Sequence, residues 1–111
     1  MAKLKPPVAP RTERMVGEYR SLSKLVKDIR CEIATGLLVG GISANVKVES
    51  VKGTKLVRVE VISQQFAALR PSERQDLVWR ILGGKLGRDD QLRISRILTL
   101  TPDELAGKWS D

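Results

Sequence analysis

The sequence contains no histidine and only one cysteine, Cys31, among its 111 residues. A single cysteine cannot form an intramolecular disulfide, and zinc sites built from cysteine and histidine lack their ligands. Histidine is also the side chain that most often carries acid–base catalysis near neutral pH. No nucleophile motif, Walker loop or dinucleotide fingerprint is present either. The sequence therefore predicts a protein that is not an enzyme and that holds no metal or cofactor.

Aromatic residues are scarce, at 4% of the chain, and the four are Tyr19, Phe66, Trp79 and Trp109. The core must therefore consist mainly of valine, isoleucine and leucine. The sequence also lacks an apolar run long enough to span a membrane, and its first ten residues do not resemble a signal peptide. We expect a cytoplasmic protein.

Positive charge is abundant, with 20 lysines and arginines against 13 acidic residues and a formal net charge of +7. This excess favours a polyanionic partner, either nucleic acid or an acidic protein surface, although a solvated basic surface is the simpler alternative. The length suits one domain. Residues 1–11 combine three prolines with three basic residues, which predicts a flexible basic tail, and residues 12–111 form the single domain.

Apolar residues spaced alternately by four and three predict a long first helix over about residues 12–35. They are Met15, Tyr19, Leu22, Val26, Ile29 and Ile33. Thr12 is a suitable N-cap, and Gly36 is expected to end the helix. The apolar stripe could pack on the core of its own chain or against a second copy, which would make a homodimer.

Alternating runs at residues 44–51 and 56–63 flank a turn containing Gly53, a pattern typical of an antiparallel hairpin. A second helix opens at Pro71, where Ser72 and Gln75 have capping-box spacing, and ends at Gly83–Gly84. Residues 92–100 predict a third strand, whose alternation slips near Arg96 and suggests a bulge. A short helix follows Thr101. We predict an α+β fold in which helices cover one face of a three-stranded sheet.

Three stretches of the chain, in order and at natural spacing, resemble the BolA family, whose topology is shared by type II KH domains. They are Val59-Glu60-Val61-Ile62-Ser63 followed by Phe66, Glu73-Arg74 followed by Leu77-Val78-Trp79, and Thr99-Leu100-Thr101-Pro102. The resemblance covers about residues 44–105. It implies the order α-β-β-α-(α)-β-α and a role as a binding module.

The chain departs from the family at two positions where BolA proteins carry histidine, since Gln75 and Arg93 stand there. The second histidine is an iron–sulfur ligand when BolA proteins pair with monothiol glutaredoxins, and arginine offers no lone pair to a metal. The excess of positive charge and the basic residues around Lys85 therefore predict a BolA-like binding module associated with nucleic acid, either a regulator, of transcription for example, or an adaptor. The alternative is a protein partner of a monothiol glutaredoxin or iron–sulfur assembly factor that has lost the ligand.

The segment Gly84-Lys85-Leu86-Gly87 is similar to the Gly-x-x-Gly loop with which KH domains grip a nucleic-acid backbone. The alternative is a helix C-cap followed by a flexible turn, and Asp89 and Asp90 would repel phosphate. The predicted nucleic-acid contacts are Arg74, Arg80, Gly84, Lys85, Gly87, Arg88, Arg93 and Arg96. Trp79 is predicted either to fill the core or to anchor a protein partner.

Overall fold

A computed structural model describes residues 21–107, so the predicted basic tail, the first part of the predicted long helix and Trp109 lie outside it. The elements are α1 (Leu22–Val39), β1 (Asn45–Ser50), β2 (Val57–Ile62), a 3-10 helix (Gln64–Ala68), α2 (Pro71–Gly83), α3 (Arg88–Gln91), β3 (Ile94–Leu100) and α4 (Pro102–Leu105). This is the predicted α+β order, including the short helix before the last strand. Within residues 21–107, no helix is long and apolar enough to cross a membrane.

The three strands form one mixed sheet in the order β1-β2-β3, with β1 antiparallel and β3 parallel to β2. Alternate valines of β1 and β2 are buried against α1 and α2, as the period-two pattern predicts. The intervening side chains, Lys47, Glu49 and Arg58, are exposed on the opposite face. Helices thus cover one face of the sheet, and the other face is open among the residues that the structure describes.

Helix α1 begins at Leu22, after Ser21, whose hydroxyl accepts a hydrogen bond from the Lys24 amide at 3.3 Å. Ser21 is extended, with ψ 156°, so the predicted continuous helix from residue 12 is interrupted at this position. The predicted end at Gly36 is also wrong, because α1 continues to Val39 and Gly40 caps it. The reason is Leu37, which continues the buried stripe by one more turn.

Gly36 instead lies where α1 crosses α2, since a Cβ there would lie 2.6 Å from Cγ2 of Ile81. That methyl branches from Cβ and cannot swing away inside a helix. Replacing Gly36 by Ala should cost about 2–3 kcal/mol through overpacking and gain about 1 kcal/mol in helix propensity, so the free energy of unfolding should fall by about 1–2 kcal/mol. Urea unfolding followed by circular dichroism would measure it.

Two variants provide controls for the Gly36→Ala prediction. At Gly83, near the end of α2, nothing lies within 4 Å of an added Cβ, so Gly83→Ala should not destabilise. In an Ile81→Ala background, Gly36→Ala should lower the free energy of unfolding by less, because the methyl group that clashes with the new Cβ is absent. Equal stability of the Gly36→Ala and parent proteins would contradict the close approach.

The predicted bulge is confirmed in β3. Val57 pairs with Ile94, but Arg58 pairs with Arg96, so Ser95 is an extra residue. The Ser95 hydroxyl donates to the Val57 carbonyl at 3.0 Å. The bulge brings Arg96 onto the open face directly beside Arg58. Leu92, predicted to belong to the strand, is instead the C-cap of α3 and is 71% exposed.

The predicted start and end of α2 are nearly correct, but its cap differs. Arg70 is the N-cap residue, and its amide donates to Oε1 of Glu73 at 2.8 Å. Ser72 is the second residue of the helix, two positions past the N-cap, and therefore cannot cap it. The side-chain amide of Gln75 does not cap the helix either. Its Nε2 donates to the Ile97 carbonyl of β3 at 2.7 Å. The predicted capping of α4 by Thr101 is confirmed, with its hydroxyl accepting from the Glu104 amide at 3.2 Å.

Candidate nucleic-acid interface

Several segments that are far apart in the sequence lie together at one end of the sheet. Strands β2 and β3 are parallel, so both begin at this end, next to the β1–β2 turn. Helix α2 runs back towards it, because its first turn bonds to the last part of β3 through Arg74 and Gln75. The end of α2 and α3 therefore lie at the same end as the turn.

Exposed basic side chains cluster at this end of the sheet, which we call the basic end. They are Lys52, Lys55, Arg58, Arg80, Lys85, Arg88 and Arg96. The exposed acidic side chains near them are Glu49, Asp89 and Asp76, the last one helical turn before Arg80. Basic residues therefore outnumber acidic ones, and this surface attracts polyanions.

Four of these residues, Arg80, Lys85, Arg88 and Arg96, belong to the predicted contact set. Sequence reasoning missed the other three: Lys52, Lys55 and Arg58. The available signal was the predicted bulge near Arg96, because a parallel pairing through that bulge brings Arg58 opposite it.

Arg93 does not belong to this surface, contrary to the prediction, because it is only 5% exposed. Its Nε donates to the carbonyl of Lys55 at 3.1 Å, and its Nη1 lies 3.9 Å from Oδ1 of the buried Asp90. The guanidinium thus ties the β1–β2 turn to the start of β3. It acts on the basic end indirectly, by holding the lysines of the turn beside α3.

Arg74 is likewise buried, at 5% exposure, so its prediction as a nucleic-acid contact is also wrong. Its Nε donates to the carbonyls of Phe66 and Leu69 at 3.0 and 3.1 Å. Its Nη1 donates to the Thr99 carbonyl at 3.1 Å and to Oε1 of Glu104 at 2.7 Å. One guanidinium therefore joins the 3-10 helix, β3 and α4.

The hydrogen bond from Arg74 lowers the pKa of the Glu104 carboxyl, and the Thr101 amide, which donates at 3.0 Å, lowers it further. Because the pKa of this carboxyl is lower in the folded chain than in the unfolded chain, ionised Glu104 stabilises the fold at pH values above the ordinary carboxyl pKa. Acidification through the folded-state pKa removes this contribution.

At neutral pH, Glu104→Gln should lower the free energy of unfolding by about 1–2 kcal/mol. That difference should vanish in acid, and chemical unfolding at several pH values would measure it. A difference independent of pH would contradict the ionic contribution.

The Gly84–Gly87 segment is a helix C-cap and not an amide cradle for phosphate. The amides of Lys85 and Leu86 donate to the Leu82 carbonyl at 3.0 and 2.8 Å, and the Gly84 amide donates to Arg80 and Ile81. The Leu86 side chain is buried. The Gly84 amide is therefore not available to bind a phosphate, contrary to the prediction. Gly87 is exposed as the N-cap residue of α3, and its contact role stays a prediction.

A shallow cavity of about 260 Å³ opens on the exposed face of the sheet, beside the basic end. It is lined by Lys47, Glu49, Arg58, Val59, Glu60, Arg96 and Leu98. Glu49 lies 3.6 Å from the Lys47 ammonium and 3.8 Å from the Arg58 guanidinium, so it is shared between two bases. Within residues 21–107, no ion pair reaches Arg96. Arg58 thus shares the Glu49 carboxylate with Lys47, and Arg96 beside it keeps a full positive charge.

Trp79 is half-buried and packs against the core. It lies one helical turn after Gln75, so it is on the side of α2 that faces the outer edge of β3. Its use as a partner anchor stays a prediction. Cys31 is exposed on α1, and among residues 21–107 no group of three or more acidic or cysteine side chains is arranged to hold a metal ion.

No family model matches the chain, and no curated protein matches it significantly. Among solved structures, the chain is similar to a bol-like protein from Babesia bovis, with 21% identity and a TM-score of 0.43. The match covers 83% of this chain and 96% of that chain. The α+β fold follows from the elements and strand order described above.

Proposed function

We propose that this chain is a non-catalytic binding domain that holds nucleic acid through its basic end. The observation that carries the proposal is the side-by-side placement of Arg58 and Arg96 on neighbouring strands. Like charges directly opposite each other in a sheet destabilise it, and the exposed ion pair of Arg58 with Glu49, at 3.8 Å, offsets little of that cost. A phosphate between the two guanidiniums would remove the repulsion and accept charge-assisted hydrogen bonds from both.

The rest of the basic end extends this contact to further phosphates. Lys85 and Arg88 on one side, and the lysines of the β1–β2 turn on the other, flank the start of the sheet. The turn is held in place by the Arg93 hydrogen bond. Because the Gly84–Leu86 amides are engaged within the chain, binding depends on these side-chain charges. It should therefore be strongly salt-dependent.

Fluorescence anisotropy with short labelled DNA and RNA, single- and double-stranded, across a salt series tests the proposal. Neutralising four or five phosphates would give log K against log salt a slope of about −3 to −4.5. Absence of binding at low salt, or a slope near zero, would refute it.

A role as a glutaredoxin or iron–sulfur partner is not favoured by the geometry of the site. At the position where the resemblance implies a histidine ligand, the Arg93 guanidinium is buried and bonded to Lys55. A protonated guanidinium cannot ligate iron. Mixing the chain with a monothiol glutaredoxin and recording the absorbance spectrum would test this alternative, and a stable complex carrying a cluster would revive it.

A further inference from the structure

We infer that the cavity on the open face receives one unpaired nucleotide, whose base carries an exocyclic amino group. Its phosphate lies between Arg58 and Arg96, its base contacts Leu98, and its amino group donates to Glu60. The inference rests on the proposed function and specifies its ligand as single-stranded nucleic acid.

The lining of the cavity suits the phosphate and the base of a nucleotide. Its volume of about 260 Å³ is below the roughly 300–1,000 Å³ of pockets for drug-sized ligands, so it receives no more than one nucleotide. Arg58 and Arg96 both line it, together with the half-buried Leu98 two residues further along β3. Ile62 and Leu100 continue this half-buried apolar strip along the same face. The cavity thus offers a phosphate subsite next to an apolar one.

Glu60 makes the cavity favour bases that carry an amino group. Its side chain is half-buried between Lys47 on β1 and Leu98 on β3, the residues opposite it in the sheet. Among residues 21–107, no hydrogen bond or ion pair reaches this carboxylate, so it is an acceptor without a donor. It would repel a phosphate but would accept from the amino group of cytosine, adenine or guanine.

Thymine and uracil are poorer ligands for such a carboxylate, because two carbonyl oxygens flank their single ring N–H. In a duplex, the amino groups are engaged in base pairing and the faces of the bases are stacked. Contact with Leu98 and Glu60 therefore requires an unpaired base. The phosphate contacts alone would not distinguish a single strand from a duplex.

The test compares equally long oligo(dC) and oligo(dT), with duplex DNA as competitor, at neutral pH. The parent protein should prefer oligo(dC) about fivefold, the effect of one net hydrogen bond. Glu60→Gln should abolish the preference, because an amide both donates and accepts. Glu32→Gln, which changes another half-buried glutamate on α1, is the matched control and should retain it.

A second pair of variants separates the apolar contact from the charge. Leu98→Ala should weaken single-strand binding about fivefold with an unchanged salt slope, because it removes an apolar contact with the base worth roughly 1 kcal/mol. Leu38→Ala, at an exposed leucine near the end of α1, should have no effect. Circular dichroism verifies that each variant is folded.

The outcomes distinguish this inference from the proposed function. Salt-dependent binding that is equal for oligo(dC), oligo(dT) and duplex, and insensitive to Glu60→Gln and Leu98→Ala, overturns the nucleotide site and leaves the basic end as a phosphate-binding surface. Absence of binding to any nucleic acid overturns both.

Discussion

Replacing Arg74 by Ala is expected to lower the free energy of unfolding by about 3–5 kcal/mol. The substitution leaves the carbonyls of Phe66, Leu69 and Thr99 without their donor and deprives Glu104 of its charged partner. Each buried acceptor that loses its partner costs about 1–3 kcal/mol. The contact of the guanidinium with the Phe66 ring, at 5.7 Å, is lost as well.

Lysine should not rescue this site, although it keeps the charge. A guanidinium directs several donors in one plane and here donates to five oxygens of four residues, whereas an ammonium is a compact point charge. Arg74→Lys should therefore remain destabilised by about 2 kcal/mol or more. Urea unfolding is the measurement, and Arg80→Ala, an exposed arginine on the same helix, is the matched control with a change within about 0.5 kcal/mol. A loss for Arg74→Ala no larger than for Arg80→Ala would contradict the network.

The two buried arginines show where sequence reasoning fails for this chain. Arg74 and Arg93 look like surface charges in the sequence, because arginine is seldom buried unless paired. Their partners are backbone carbonyls, including those of Lys55, Phe66 and Thr99, which belong to other segments. These carbonyl oxygens approach the two arginines only in the folded chain, so no periodicity or motif in the sequence predicts the contacts.

Local patterns, by contrast, predicted the features that depend on neighbouring residues. The hairpin around Gly53, the buried valines, the bulge before Arg96 and the capping of α4 by Thr101 all follow from spacing and from residue type. The end of α1 was missed because Gly36 reads as a stop signal. Its real constraint is the approach of Ile81, a residue 45 positions away.

The candidate site was predicted only in part for the same reason. Arg96, Lys85 and Arg88 are close in sequence and were grouped by proximity. Lys52, Lys55 and Arg58 join them only through the parallel pairing of β2 with β3 and the Arg93 hydrogen bond. Three of the seven residues of the basic end therefore join it only through the topology of the fold.

Neutralising the arginine pair, with Arg58→Gln and Arg96→Gln together, should separate binding from stability. Removing the one phosphate contact that the two arginines share would make the salt slope shallower by about 0.7–0.9 and weaken binding at least about tenfold near physiological salt. The free energy of unfolding should stay the same or rise slightly, by less than about 1 kcal/mol, because the opposed like charges are gone. Fluorescence anisotropy and urea unfolding on the same preparations measure both quantities.

The matched control removes the same net charge elsewhere, with Arg30→Gln on α1 and Arg70→Gln at the start of α2. Both residues are exposed, and Arg70 lies at the opposite end of the sheet from the arginine pair. If affinity followed net charge alone, the two double variants would bind equally weakly, and the basic end would have no special role. A large loss confined to the Arg58 and Arg96 variant, with stability retained, would show that the pair is maintained for a ligand, because the folded chain alone derives no benefit from placing two arginines side by side.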